Sequence, residues 1–162
     1  MQVEISPDEY ALCVYVANDR QRNAVKAGKR DNLFKKNWVE SLAVHVHGCI
    51  GEMAAAKALG IQWTGSVDTF KAHGDLRGAI EVRHRTNKDW DLIVRPREAK
   101  DRLYVLTRGT PPETVEVVGY AQGHYLMQDK WKKNYGGRGE AYFVPANELR
   151  PIEELLRNAS AN

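Results

Sequence analysis

The hydrophobic pattern of the chain changes its period near residue 60, and this change constrains the fold more than any other feature. From Trp38 to Leu59 the sequence WVESLAVHVHGCIGEMAAAKAL contains no proline and stops before Gly60, a residue common directly after a helix. Beyond residue 78, apolar and charged residues alternate, starting with AIEVRHR, and a period of two is typical of a half-buried strand. The pattern predicts a mixed α/β fold in which helices come first and strands follow.

The other elements are predicted from start and stop signals. Ser6 and Pro7 open SPDEYALCVYVANDRQRNAV, which predicts a first helix over about 7–27. Further strands are predicted in four short β-rich runs, DLIVRP, RLYVLT, VEVVGYA and EAYFVP, with a short amphipathic helix in GHYLMQDKWKKN. With 162 residues, we expect a single domain built around a central mixed β-sheet flanked by helices. Its parts are the N-terminal helices (about 7–59), a sheet-forming region (about 62–146) and a C-terminal helix (about 150–158).

Charge and cysteine usage set broad limits on partners and compartment. The 24 lysines and arginines exceed the 21 acidic residues, and the formal net charge of +3 permits an anionic partner. Cys13 and Cys49 have neither CxxC nor metal-type spacing, as expected in a reducing compartment. No apolar stretch reaches the length of a membrane span, and MQVEISPDEY does not resemble a signal peptide. We therefore expect a cytoplasmic protein that does not contact a membrane.

The AIEVRHR strand carries its charges on one side. If Ile80 and Val82 point into the core, then Glu81, Arg83 and Arg85 share the opposite face, because side chains alternate across a strand. That face is either a solvated stripe or a polar site. The alternation alone does not decide between the two.

Two further carboxylates favour a polar site. Asp75 precedes Glu81 by six residues, and Gly78 between them lets the chain bend so that both carboxylates converge. Glu52 lies on a predicted helix among glycines and alanines, which would let that helix approach the sheet closely. Carboxylates held together repel unless a cation lies between them, and Mg²⁺ prefers such oxygen ligands. The sequence therefore predicts a metal site, with Asp68 as the alternative to the preferred Asp75.

The order of these residues resembles the PD-(D/E)XK nuclease superfamily, which has a restriction-endonuclease-like α-β-β-β-α-β core. The segments GCIGEMAAAKALG, GDLRGAIEVR, DWDLIVRP, YVLTRG, VVGYAQG and AYFVPANELRPI are similar to small phage and bacterial proteins assigned to it, so the likeness covers about residues 42–155. The resemblance implies a nuclease that hydrolyses DNA phosphodiester bonds with Mg²⁺ or Mn²⁺. It also implies DNA as the partner; a homodimer is one oligomeric state compatible with the chain.

The resemblance assigns roles to individual residues. Asp75 and Glu81 would ligate the metal, with the Val82 carbonyl as a further ligand, and Glu52 would bind a second metal or orient water. Arg83 occupies the position of the usual lysine; it can stabilise an anion but cannot release its proton near neutral pH. Two hypotheses follow. The protein is either an active nuclease, or a catalytically inactive member that binds DNA or a protein partner.

Additional cations are candidates for contacts with nucleic acid. Arg85 and Lys88 follow Arg83 closely enough to replace the missing lysine. The segment DKWKKNYGGRG mixes four cations with Trp131 and Tyr135, a combination that suits backbone contacts and base stacking. Its cations are Lys130, Lys132, Lys133 and Arg138. A solvated loop explains this composition equally well.

Overall fold

The computed structural model describes residues 1–28, 37–67, 74–134 and 139–160. Its helices are α1 (Pro7–Lys26), α2 (Trp38–Ala58), α3 (Gly123–Leu126) and α4 (Ile152–Ser160). Its strands are β1 (Gln2–Val3), β2 (Ile80–Arg85), β3 (Leu92–Val94), β4 (Leu103–Arg108), β5 (Val115–Gln122), β6 (Lys132–Asn134) and β7 (Glu140–Val144). The predicted mixed α/β class is confirmed.

Both long helices begin at side-chain caps. The Ser6 hydroxyl accepts a hydrogen bond from the Glu9 backbone N–H (3.2 Å), and the Glu9 carboxylate accepts one from the Ser6 N–H (2.8 Å). This reciprocal capping box satisfies two backbone donors that a helix start leaves unpaired. In α2, the Asn37 side chain accepts from the Glu40 N–H at 2.9 Å. The bounds predicted for these helices are confirmed to within one residue.

The strands form two sheets rather than one central sheet. The larger sheet has the order β1-β5-β4-β2, in which β2 and β4 are parallel and β5 is antiparallel to both β4 and β1. The smaller sheet, β3-β7-β6, is antiparallel. Parallel neighbours need a crossover connection, and here β3 lies in that connection and pairs with β7.

Helices and the smaller sheet cover opposite faces of the larger sheet. One core contains residues of α1, α2 and α4 packed against residues such as Val82 and Val105. The other core joins β3 and β7 to Tyr104 and Leu106 of β4. The prediction of a sheet flanked by helices therefore holds for one face only, because a second sheet occupies the other.

Small residues bring α2 close to the sheet, as predicted. A Cβ atom at Gly51 would lie 2.6 Å from both the Cβ of His84 and the Thr107 hydroxyl oxygen, which leaves no room for alanine. In β2, Ile80 and Val82 are buried, and the residues that alternate with them are less so. The close approach brings α2, the helix that carries Glu52, against β2.

The segment predicted as a short amphipathic helix near the C-terminus is broken into several short elements. Only the first turn of GHYLMQDKWKKN is α-helical, and its last three residues form the exposed strand β6. The closing helix is confirmed as α4. Within the described ranges, no helix combines the length and apolar character that crossing a membrane requires.

Candidate functional site

Asp75 lies in a tight hairpin that folds back on the edge of β2. The Gly74 N–H donates to the Gly78 carbonyl (3.0 Å), and the turn requires positive φ at Arg77 (47°) and Gly78 (71°). The Asp75 carboxylate accepts a hydrogen bond from the Val82 N–H at 2.7 Å. The bend predicted at Gly78 is therefore present, and it holds the Asp75 side chain against β2.

Glu52 is a buried carboxylate with a dedicated arginine. It is only 5% exposed, and its two oxygens accept hydrogen bonds from the two terminal nitrogens of Arg20 at 2.7 and 2.8 Å. The Trp63 indole N–H donates to one of these oxygens at 3.0 Å. Arg20 also donates through Nε to the Ser66 carbonyl at 2.9 Å. Charge-assisted bidentate pairs of this kind are among the strongest hydrogen bonds in proteins. Arg20 therefore fixes the position of the Glu52 carboxylate.

Glu81 is shared by two arginines. Arg83 donates to one of its oxygens at 3.1 Å, and Arg102 donates to the other. Arg83 also donates to Glu98 at 2.8 Å, and its guanidinium carbon lies 5.3 Å from the centre of the Tyr104 ring. The result is a chain of alternating charges, Arg102–Glu81–Arg83–Glu98, on the face of β2 opposite the helices.

Four members of the site were missed by sequence reasoning, namely Arg20, Trp63, Glu98 and Arg102. Arg20 and Glu52 are 32 residues apart, and Arg102 and Glu81 are 21 apart. Arg102 becomes predictable only once the strand pairing is known. Because β2 and β4 are parallel and Glu81 pairs with Tyr104, a residue just before β4 lies near Glu81. Finding it required the strand pairing, which no local spacing reveals.

The three predicted carboxylates act on one another electrostatically. Burial and, to a smaller extent, the charge of Glu52 raise the pKa of Asp75 to about 7, although the hydrogen bond from the Val82 N–H acts to lower it. Glu81 adds a smaller increase, which Arg83 counteracts. Glu52 and Glu81 each accept hydrogen bonds from arginines, whereas the described contacts of the Asp75 carboxylate comprise one backbone N–H. Asp75 is therefore the carboxylate whose charge is least compensated.

The donor atoms at this site are of the kind that Mg²⁺ prefers, but their arrangement is not that of an assembled metal centre. Carboxylate oxygens and a backbone carbonyl are suitable hard ligands. However, the Val82 carbonyl accepts from Arg83 at 3.2 Å, and arginines already contact both oxygens of Glu81 and of Glu52. Among the residues that the structure describes, no three acidic, histidine or cysteine side chains are grouped to hold a metal ion. Metal binding would require these arginines to move.

The predicted nucleic-acid contacts are dispersed. Arg85 donates to the Asp91 carbonyl at 3.2 Å and is half-buried, whereas Lys88 is exposed and lies 3.5 Å from Glu113. Lys130 contacts the rings of Tyr125 and Trp131. In the adjoining strand Lys132 pairs with Glu140 at 2.8 Å and Lys133 is exposed. Three residues named in the sequence analysis, Asp68, Tyr135 and Arg138, lie outside the described residues.

Asp75→Asn is expected to stabilise the metal-free protein at pH 8. Because the pKa of Asp75 is about 7 in the folded protein against an ordinary value of 3.8, folding favours the protonated carboxyl. The stability from this group is present below about pH 4 and is lost as the pH rises through 7. The neutral amide avoids that loss, so the variant should be more stable at pH 8 by about 2–4 kcal/mol, and the gap should shrink toward pH 4.

Urea denaturation in a chelator at pH 4.5, 6 and 8 measures this difference. The matched control is Asp89→Asn, which removes an acid from an exposed turn. A constant stability difference between wild type and Asp75→Asn across these pH values would contradict the raised pKa.

Comparison with known proteins adds no relative. No protein-family model matches the chain, and neither a curated protein nor a solved structure matches it.

Proposed function

We propose that this protein is a metal-dependent nuclease that hydrolyses DNA phosphodiester bonds and has a restriction-endonuclease-like core. The observation that carries the proposal is the position of Asp75, where the negative charges of Glu52 and Glu81 both act on it. Glu52 comes from helix α2, whereas Asp75 and Glu81 come from a hairpin and the strand that directly follows it. A buried, partly uncompensated carboxylate is costly for stability, and such costs are typical of functional sites.

The order of elements supports the same proposal. Helix α2 carries Glu52, the following hairpin carries Asp75, and β2 carries Glu81 and Arg83 next to the parallel strand β4. This order agrees with the first half of an α-β-β-β-α-β unit. The chain departs from that unit between β2 and β4, where residues 86–102 contribute β3 to the smaller sheet and form no helix.

In this proposal Asp75 and Glu81 hold Mg²⁺ or Mn²⁺, and Glu52 orients water or a second metal. The bound ion would supply charge neutralisation at the phosphate and a more acidic water. The protein's own contribution is electrostatic. Arg83 is held near the site by Glu98 and by contact with Tyr104, so its guanidinium would stabilise an anion there once its hydrogen bond to Glu81 has given way to the metal.

Mn²⁺ is expected to raise the melting temperature of the wild-type protein and to have no such effect on Glu81→Gln. A ligand present at 100 times its Kd stabilises the folded state by about 2.7 kcal/mol. For a chain of this size, that corresponds to roughly 5–10 °C. The melting temperature of each variant is measured with and without Mn²⁺. Any stability that Glu81→Gln loses with its arginine contacts then affects both measurements and cancels in the Mn²⁺-induced shift.

Cleavage of labelled single-stranded and duplex DNA is measured in the same preparations. Asp89→Asn should retain both metal stabilisation and cleavage, because Asp89 lies in an exposed turn. Equal stabilisation of wild type and Glu81→Gln by Mn²⁺ would remove Glu81 from the metal site.

A second candidate function, a catalytically inactive protein that binds DNA or a protein partner, is favoured by one observation. The arginines that contact Glu52 and Glu81 neutralise these acids without any metal. If that arrangement persists, divalent ions will leave the melting temperature unchanged and no cleavage will occur. DNA binding that weakens steeply with salt would then identify a DNA-binding protein, and its absence at low salt would indicate a protein partner.

A further inference from the structure

A cleft of about 600 Å³ lies beside the proposed site, between the start of β4, the end of β5 and α4. Its volume is in the range of small-molecule and cofactor sites. Leu103 and Leu155 contribute apolar surface, and Gln122 contributes an amide.

Aromatic rings and hydrogen-bonding groups line the rest of the cleft. The Tyr120 ring is only 3% exposed, and the guanidinium carbon of Arg150 lies over it, 5.4 Å from its centre. Arg150 also donates to Glu154 at 2.7 and 2.9 Å. The Tyr125 hydroxyl donates to Glu148 at 2.8 Å, which fixes the orientation of that side chain. Tyr125, which is half-buried, is therefore the ring that can stack on a base, and amide, carboxylate and guanidinium groups hydrogen-bond to base edges. The cleft thus combines the two kinds of contact that recognise an unpaired base.

A row of cations and rings continues outward from Tyr125. The ammonium of Lys130 lies 5.2 Å from the centre of the Tyr125 ring and 4.5 Å from that of Trp131. Lys133 is exposed on the neighbouring strand β6. Stacking surfaces interleaved with positive charge are typical of proteins that bind single-stranded nucleic acid. This row would follow the backbone of a strand whose base enters the cleft.

The cleft is also close to the proposed catalytic residues. Arg102, which contacts Glu81, is followed directly by Leu103 of the cleft. Strand β4 lies between β2 and β5, but Leu103, Tyr120 and Leu155 of the cleft belong to the core on the helix side of the sheet, whereas Glu81 lies on the opposite face. A nucleic-acid strand bound in the cleft would therefore pass around this end of the sheet, at the start of β4, to reach Glu81.

We propose that this cleft binds a nucleobase of an unpaired DNA strand, so that the substrate contains a single-stranded segment. The statement about substrate rests on the proposed nuclease function. Base binding itself needs neither metal nor cleavage, so it can be tested separately.

The test measures binding of a fluorescently labelled single-stranded oligonucleotide to the whole protein in a chelator. Arg150→Ala and Tyr125→Ala should each weaken binding by about tenfold, in the range for loss of one stacking contact. Tyr125→Phe keeps the ring and should stay within about threefold of wild type. Arg22→Ala, which removes an exposed cation from α1, is the charge-matched control and should change binding less than twofold.

An abasic oligonucleotide of the same length separates base contacts from backbone attraction. It should bind more weakly than the normal strand and should not distinguish Arg150→Ala from Arg22→Ala. Equal binding of the abasic and normal strands, or equal losses for Arg150→Ala and Arg22→Ala, would overturn the inference. Because the Arg150 side chain is 61% exposed, its alanine variant tests the cleft even if Tyr125→Ala fails to fold. If the protein cleaves duplex DNA in a metal-dependent way but binds the normal and the abasic single strands equally well, the nuclease proposal stands and the base site is excluded.

Discussion

Arg20→Ala is expected to lower the free energy of unfolding by about 3–5 kcal/mol, the range for removing one partner of a buried ion pair. The change leaves Glu52, which is 5% exposed, with the Trp63 N–H but without its cation. It also removes the hydrogen bond from Arg20 to the Ser66 carbonyl, which ties α1 to the segment after α2. Urea denaturation at pH 7 measures the loss.

Two further variants test whether the buried charge causes this loss. Arg22→Ala lies on the same helix and removes an exposed arginine, so its effect should stay within about 0.5 kcal/mol. Adding Glu52→Gln to Arg20→Ala should recover part of the stability, because the carboxylate left without a cation is then neutral. A loss below about 1 kcal/mol for Arg20→Ala would show that water reaches Glu52 and that the pair is not buried in solution.

Features that depend on residues close together in the sequence could be predicted from the sequence, whereas features that depend on long-range contacts could not. The start of α1 was predictable because Ser6, Pro7 and Glu9 contact one another within a single turn. The two faces of β2 were predictable because alternation is a local property of a strand. Gly78 was a visible signal for the bend that brings Asp75 to β2, since few other residues adopt a positive φ readily.

The charge balance of the site was not predictable in the same way. The sequence suggested that clustered carboxylates need a metal between them, whereas in the structure arginines from α1 and from the residue before β4 contact Glu52 and Glu81. Those partners depend on helix packing and on the parallel pairing of β2 with β4, both of which are long-range features. The second sheet was missed for a related reason. A run such as DLIVRP signals a strand, but its pairing partner β7 lies about 50 residues away in the sequence.

Under the proposed nuclease function, Arg83→Ala is expected to lower the rate of DNA cleavage by roughly a hundredfold or more, the range for removing one preorganised donor at a developing negative charge. Arg83 is well placed for that role because Glu98 and Tyr104 hold its guanidinium on the face of β2 that also carries Glu81. Metal binding should survive, since Asp75 and Glu81 are both retained. The measurement is plasmid nicking together with the melting-temperature shift caused by Mn²⁺.

Arg83→Lys separates the charge from the forked shape of the guanidinium. Lysine retains a positive charge but offers a single ammonium, so it cannot contact Glu81 and Glu98 with separate nitrogens as Arg83 does. If charge at this position drives cleavage, the lysine variant should be at least tenfold more active than the alanine variant, and Arg22→Ala should match wild type. Robust wild-type cleavage that persists in Arg83→Ala would exclude Arg83 from the mechanism and direct attention to Arg102, the other arginine on Glu81. If wild type does not cleave but Arg83→Lys does, the arginine itself is what keeps the site inactive.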